Sequence, residues 1–286
     1  VKVTPYGVRG SLATPGSATA RYGGNTSCVR VTAPDGAILA LDAGTGIRGL
    51  GLDLRPELRR IDVLLTHLHM DHVIGLGFFG PLYNPGTEVH IWGPASATLS
   101  LEARLRRYLA PPLFPVRLRD LPCRLELHHT GRGWSSIGAF RIRAARVCHP
   151  GPTVGYRIET EQGSLAYLPD HEPALGARRF PLDAEWTSGF DLAQGVDLLL
   201  HDAQYTREEY LRYVGWGHSS IHDALAFARL AGVRHLVPFH HDPGRDDAAL
   251  ETALGAAIAD MSPDFPVTPA AEGRTFEIGG RGQLGS

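Results

Sequence analysis

The run Ile61-Asp62-Val63-Leu64-Leu65 has the near-continuous apolar character of a strand buried on both faces. It ends at Thr66, and the next residues are His67-Leu68-His69-Met70-Asp71-His72. Four potential metal ligands therefore fall within six positions, just past the C-terminal end of a buried strand, where α/β proteins commonly place their sites. His67 and His69, two apart, project to the same side of an extended backbone and can grip one ion. Asp71 and His72 sit where the chain turns and can reach a second. Neutral imidazole and carboxylate together suit Zn²⁺, Mn²⁺ or Fe.

The rest of the chain supplies a frame for that strand. Ser27–Val31 and 38–42 flank the turn signal Pro34-Asp35-Gly36, so the first 44 residues read as β structure. Residues 45–57 read as a short helix or loop, 89–92 as a strand, and 95–110 as a helix with Leu99, Leu101, Leu105 and Leu109 on one side. Strands are expected near 123–129, 138–148, 153–160 and 164–168, followed by an irregular stretch at 171–195 that is long for a plain connection. A buried-type strand at 197–200, helices at 206–214 and 220–231, a strand at 233–239 and a helix at 245–261 complete the pattern. β-hairpins thus lead into strand–helix alternation once in each half, an α/β class of fold. No segment is rich enough in Gly, Pro or Ser to split the chain, so 1–286 reads as a single domain.

Composition removes several function classes. With 43% hydrophobic and 20% charged residues, the 286-residue chain is globular and large enough for a sizeable core. Its net charge of −2 gives no footprint for an extended nucleic acid. No apolar run approaches the roughly 20 residues that cross a bilayer, and nothing at the N-terminus has a signal-peptide layout. Cys28, Cys123 and Cys148 are odd in number and far apart, which argues against a disulfide framework. A soluble, cytoplasmic protein is expected, and a homodimer is compatible with the sequence. Lys2 is the only lysine among 28 basic residues, which reads as compositional bias rather than as a functional signal.

The pattern His67-x-His69-x-Asp71-His72 after an apolar strand resembles the signature of the metallo-β-lactamase superfamily, a four-layer αββα metallohydrolase fold. That family takes further ligands at later strand ends, in the order His, Asp, His. The matching positions are His149 after 139–148, Asp170 after 164–168, and His240 after 233–239; His241 competes with His240, and His171 and Glu172 with Asp170. The resemblance implies two divalent ions, zinc first among the metals. His67, His69 and His149 would hold one, Asp71, His72 and His240 the other, with Asp170 bridging. A hydroxide shared by two such cations would serve as nucleophile near neutral pH.

Within that family the bridging Asp170 separates this chain from the β-lactamases, and His69 separates it from the dioxygen-reducing branch, which has glutamate there. Val214-Gly215-Trp216-Gly217-His218-Ser219-Ser220, with Asp202 at the end of the strand 197–200, resembles the phosphodiesterase branch, ribonuclease Z and its relatives. The resemblance implies that His218 is a general acid for the leaving oxygen, held by Asp202; Asp71 counts with them as catalytic. Ser219 or Ser220 would cap the following helix. Ribonuclease Z carries an inserted arm for transfer RNA, whereas only 21 residues separate His149 from Asp170. The expected substrate is therefore a small or cyclic nucleotide-like phosphodiester. A carbon-ester hydrolase (lactonase or thioesterase), a ribonuclease Z-like endonuclease, and a metal-binding sensor without turnover are the alternatives.

Of four lesser features, two carry two readings each. Arg9 and Asn25, in Gly-rich turns, either contact a phosphate or pack beside the metal loop. Phe78 and Phe79 either stack on a base or fill the core. Cys148 reads as a buried thiol, and Asp42 as a residue that supports the ligand loops through hydrogen bonds.

Overall fold

A computed structural model describes residues 1–131, 133–175, 180–181 and 183–279. The chain opens with an antiparallel trio, β1 (Lys2–Gly7), β2 (Cys28–Thr32) and β3 (Ile38–Leu41). Helices α1 (Ile47–Leu52), α2 (Met70–Val73) and α3 (Leu101–Leu105) then alternate with β4 (Arg60–Leu64), β5 (Glu88–Pro94) and β6 (Arg124–Thr130), which extend the sheet in parallel. A second sheet begins as a meander of β7 (Gly133–Ile137), β8 (Phe140–Arg146), β9 (Val154–Thr160) and β10 (Gly163–Leu168). After α4 (Phe190–Ala193), β11 (Leu198–Asp202) joins it in parallel; α5 (Arg207–Tyr213) and α6 (Ile221–Ala231) lead to β12 (Leu236–Phe239). Helix α7 (Asp247–Met261) follows, and β13 (Phe276–Glu277) returns to pair with β1.

The strand orders are β13-β1-β2-β3-β4-β5-β6 and β12-β11-β10-β9-β8-β7. Alternation along the strands decides which residue faces which layer. Leu39, Leu41 and Leu64 of the first sheet meet Tyr156, Leu165, Tyr167, Leu200 and Phe239 of the second in a central core. The opposite faces turn outward to helices: Ala40, Ile61 and Val63 pack with Ile47, Leu50 and Val73, and Ala166, Leu168 and Leu199 pack with Leu225, Phe227 and Leu250. This is the expected four-layer αββα sandwich. No helix among the described residues is long and apolar enough to cross a membrane.

Several boundaries differ from the expectation for identifiable reasons. The helix expected at 95–110 shrinks to α3, because the Ser100 hydroxyl accepts the Ala103 N–H and fixes the helix start there. The strand expected at 233–239 starts only at Leu236: Val233 N–H closes the end of α6 on Ala228, and Arg234 N–H bonds the Val196 carbonyl. Pro238 is tolerated in β12 because that strand is an edge of its sheet. Strand β7 was not expected; its Gly133–Ser136 face is exposed and lacks an apolar alternation. The stretch 171–195 holds α4 and a short 3₁₀ turn, Ala184–Trp186; Gly176 to Arg179 and Leu182 lie outside the described residues.

Two packing details position the functional end of the sandwich. The ligand motif is laced to the loop after β3, with Ala43 N–H on His72 carbonyl (2.8 Å) and Gly75 N–H on Ala43 carbonyl (2.9 Å). That loop has no room for a side chain at Gly44, where a Cβ would stand 2.3 Å from the Asp71 carbonyl oxygen. Behind β10 and β11, His171 and His201 are both fully buried, with His171 Nδ1 and His201 Nε2 2.9 Å apart. His201 Nδ1 donates to the Asp202 carbonyl (2.7 Å), so Nε2 accepts from His171 and both rings are neutral. Burial drives the His201 pKa down, only partly offset by Asp202, to about 4.

Gly44→Ala should lower unfolding stability by about 1–3 kcal/mol in urea titrations and reduce bound metal, since the methyl pushes against backbone. Stability should also fall at acid pH. Below its ordinary 6.5 the unfolded His201 binds a proton that the folded ring refuses until about 4, so stability is lost as pH falls through that window. In chelator, the wild type should lose on the order of 2 kcal/mol more than His201→Gln between pH 7 and 5.

Candidate metal centre

Every residue of the expected ligand set lies where a strand or its following turn ends on the same rim of the sandwich. His67 and His69 follow β4, Asp71 and His72 lie in α2, His149 follows β8, Asp170 follows β10 and His240 follows β12. The structure brings them into two adjoining groups, His67, His69 and His149, and Asp71, His72, Asp170 and His240, each with its ligand atoms within 4.8 Å. In the first, His149 Nε2 is 3.1 Å from His69 Nδ1. In the second, His72 Nε2 is 3.3 Å from Asp71 Oδ2, and His240 Nε2 is 3.3 Å from the same oxygen. Asp170 stands between them: its Oδ2 is 3.3 Å from His240, 3.7 Å from His149 and 3.8 Å from His67, and its Oδ1 is 2.9 Å from His72.

The far nitrogen of each buried histidine is fixed. His72 Nδ1 meets Asp42 (2.9 Å), His240 Nδ1 meets Gln204 Oε1 (3.1 Å), His149 Nδ1 donates to the Gly217 carbonyl (2.8 Å), and His67 Nδ1 lies on Thr66 Oγ1 (3.1 Å). This is how proteins orient ligand imidazoles and set their tautomers. Asp42 and His240 both adopt left-handed backbone, φ 58° and 59°, a strain of order 1–2 kcal/mol each that non-glycine residues bear mainly at functional sites.

The donor set fits divalent cations. His67 Nε2 is buried and aimed inward with no hydrogen-bond partner among the described residues, and His72 Nε2 and Asp170 Oδ1 find partners there only within the cluster, 2.9 Å from each other, a costly arrangement for a purely structural cluster. Ligand bonds of about 2.0–2.2 Å put two donors of one tetrahedral ion roughly 3.4 Å apart, close to the separations here. Burial lowers the pKa of His67, His69 and His149 and keeps them neutral, the form that binds metal. Burial opposes ionisation of Asp170, yet His240, His72 and His67 hold its carboxyl well below the usual range. His72 behaves oppositely: burial works against its charge, but Asp170, Asp71 and Asp42 push its pKa well up. Without metal a proton on His72 balances those carboxylates, and a cation among the same groups supplies that charge instead.

Beside this centre, His218 Nδ1 donates to Asp202 Oδ2 at 2.7 Å, and its ring stacks on His240 (centroids 4.9 Å) and meets His149 edge-on (5.0 Å). Asp202 is fully buried and also accepts the N–H groups of His171, Gln204 and Ser219, so it is anchored before it holds the imidazole. Burial opposes a charge on His218, but Asp202, with Asp170 and Asp71 behind it, pushes its pKa up to about 9. Ser220, not Ser219, caps α6, accepting the Asp223 N–H.

Competing assignments separate cleanly. His241 points away and bonds the Ala270 carbonyl, and His171 pairs with His201. Glu172 turns its buried carboxylate onto the N–H groups of Gly215 and Gly217 and the Tyr210 hydroxyl, a clamp that reading the sequence missed because it links positions 43 and 45 residues apart. Gln204 was missed as well. Arg9 packs inside the fold, fully buried, on the carbonyls of Gly23, Asp242 and Arg245 and near Asp247, and Asn25 bonds Glu272 and Thr45; neither is offered to a substrate phosphate. Phe79 is core, whereas Phe78 is exposed; Cys148 is half-buried, and burial raises its thiol pKa. Asp42 supports the ligand loops as expected.

The beta-lactamase superfamily domain model matches residues 38–241. An uncharacterized protein of Mycobacterium tuberculosis is 28% identical, over 97% of this chain and 92% of its own length. A ribonuclease Z of Trichodesmium erythraeum is 29% identical, over 84% of this chain and 88% of its own. Among solved structures, a diphosphatase of the PhnP family superposes with a TM-score of 0.68 at 20% identity, covering 97% of this chain and 98% of that one. With the model spanning the ligand motif through His240 and the fold shared end to end, the chain belongs to the beta-lactamase superfamily.

Proposed function

We propose that the protein is a dinuclear metal-dependent phosphodiesterase acting on a small or cyclic nucleotide-like phosphodiester. The observation that carries this reading is the Asp202–His218 pair, closed at 2.7 Å and set against His149 and His240 of the metal centre. Hydrolysing a diester expels an alkoxide, and a positioned acid beside the metals answers that need, whereas a thioester, which expels a thiolate, has less use for one.

Two divalent ions, Zn²⁺ in our assignment and Mn²⁺ or Fe as alternatives, would supply Lewis-acid charge and a water of lowered pKa. His67, His69 and His149 would hold the first, Asp71, His72 and His240 the second, with Asp170 shared. Asp71 accepts the Ser11 N–H at 2.8 Å, which fixes its carboxylate among the ligands. The His218 Nδ1–H bond to Asp202 fixes the ring and leaves Nε2 to give its proton to the departing oxygen. Fixed charge and fixed rings spare the site reorganisation when charge develops on the phosphoryl oxygens.

What lies between His149 and Asp170 supports a small substrate. The hairpin of β9 and β10 accounts for that segment, with no arm projecting from it. The ribonuclease Z relative and the diphosphatase neighbour support phosphoryl-transfer chemistry in general, and the missing arm favours a small diester over transfer RNA.

His218→Ala should lower kcat by about 10²–10⁴ on a 2′,3′-cyclic nucleotide, whose leaving group is an alkoxide. On bis-p-nitrophenyl phosphate the loss should be much smaller, because p-nitrophenolate departs without help. Equal losses on both substrates would remove the acid role. Chelation should abolish turnover of both, and Asp170→Ala should fail to recover it when Zn²⁺ or Mn²⁺ is returned, with metal content measured in parallel. Turnover of lactones alone would replace phosphodiester chemistry by carbon-ester hydrolysis.

A further inference from the structure

The proposed chemistry places the departing oxygen beside His218, and the loop that carries His218 holds a residue the metal centre does not use. Trp216 is 61% exposed. Its backbone, however, is anchored on both sides. The buried Glu172 carboxylate accepts the N–H of Gly215 (2.9 Å) and of Gly217 (2.8 Å), and the Tyr210 hydroxyl (2.8 Å) holds that carboxylate in turn. Both glycines have left-handed φ, 88° and 87°, which side chains rarely adopt. The Gly217 carbonyl takes the His149 Nδ1 hydrogen bond, and a Cβ at Gly217 would stand 2.4 Å from that nitrogen. Trp216 therefore rides on a turn tied at once to a buried carboxylate and to a histidine of the metal centre.

Aromatic rings lead from the site to it. Tyr205 meets His218 edge-on at 6.0 Å, Tyr213 stacks on Tyr205 at 4.9 Å, and Trp216 packs against Tyr213 at 5.2 Å. Exposure rises along the series, from buried Tyr205 through half-buried Tyr213 to Trp216. Two residues of chain span at most about 7 Å, so the Trp216 backbone is within that distance of His218. Val214 on the same turn and Leu175 are exposed and apolar, and Leu175 Cδ1 is 4.0 Å from where a Cβ at Gly215 would stand. An indole displayed on an anchored turn, three ring contacts out from His218 and among apolar neighbours, suits a flat neutral ring better than a second phosphate.

We infer that Trp216 is a specificity residue: the substrate carries a nucleobase, or a ring of the same kind, on its leaving-group side, and that ring stacks on the Trp216 indole. The inference rests on the phosphodiesterase reading and names its substrate class as base-bearing diesters. Glu172 acts as a positioning residue for this platform, by holding the turn rather than by touching substrate.

The test compares wild type, Trp216→Ala and Trp216→Phe on 2′,3′-cyclic AMP and on glycerol 1,2-cyclic phosphate, a diester with the same kind of leaving alkoxide and no base. Trp216→Ala should raise KM for the nucleotide about tenfold or more, consistent with the loss of one base–aromatic stack, and leave KM for the base-free diester unchanged. Trp216→Phe should restore most of the difference. Adenosine monophosphate should quench the intrinsic fluorescence of wild type and not of Trp216→Ala. Equal effects on both diesters, no effect on either, or a change confined to oligomeric state by light scattering would overturn the inference. If wild type turns over neither diester with any metal, the phosphodiesterase reading fails, and absence of the fluorescence quench would then overturn the stacking by itself.

Discussion

A carboxylate with no solvent contact lies under the metal centre, and the functional rim is organised around it. Asp42, at the end of β3, accepts the Thr66 N–H (2.7 Å) and Thr66 hydroxyl, the Tyr167 hydroxyl (3.0 Å) and His72 Nδ1 (2.9 Å). Those partners come from the ends of β4 and β10 and from α2, so one side chain ties the two sheets together where the ligands leave them. A buried carboxylate is tolerable only when such bonds satisfy its oxygens, and removing one partner would leave the others exposed to the full cost of desolvation. Thr66 passes the connection on to His67 and His72 carries it to the ligand set, which is why the centre and the sandwich are not separable features.

The same logic recurs around the rim with different chemistry. Asp202 is held by three backbone N–H groups before it holds His218, and Glu172 is held by a tyrosine hydroxyl and two glycine N–H groups. Gln204 orients His240. Each is a buried polar group whose satisfaction fixes the group in front of it, and together they explain how short loops between strands hold reacting groups to within hydrogen-bond tolerance. Helix dipoles contribute little here, because α2 is a single turn.

Much of this was legible in the residues, and the reasons for success and failure are physical. The buried strands announced themselves because strands covered on both faces are apolar almost throughout, as in 61–65 and 198–200. The residues now gathered at the rim were legible as candidates because they lie at or shortly after strand ends. Strand β7 was illegible because an exposed edge strand carries no apolar alternation, and the helix at 95–110 was overread because leucine spacing says nothing about where a serine cap stops the backbone from joining. Arg9 shows the opposite failure. An arginine in a Gly-rich turn beside a ligand loop has the look of a phosphate contact, yet it is buried among carbonyls contributed from residues 23, 242 and 245.

The sequence by itself determined the chemistry available: imidazoles and carboxylates at strand ends, in an order and number that suit a pair of divalent cations. It showed the alternation of strands and helices too, and the resemblance carried by the histidine motif implied the four layers. Only the tertiary structure decided which of two neighbouring histidines faces the centre, which nitrogen of each ring is free, and which acidic residue lies between the two ligand groups, clamps or supports. Those choices depend on contacts between residues tens to hundreds of positions apart, and on backbone at Asp42 and His240 held in left-handed conformations that local preference disfavours. Long-range packing imposes those conformations, so no local pattern can announce them.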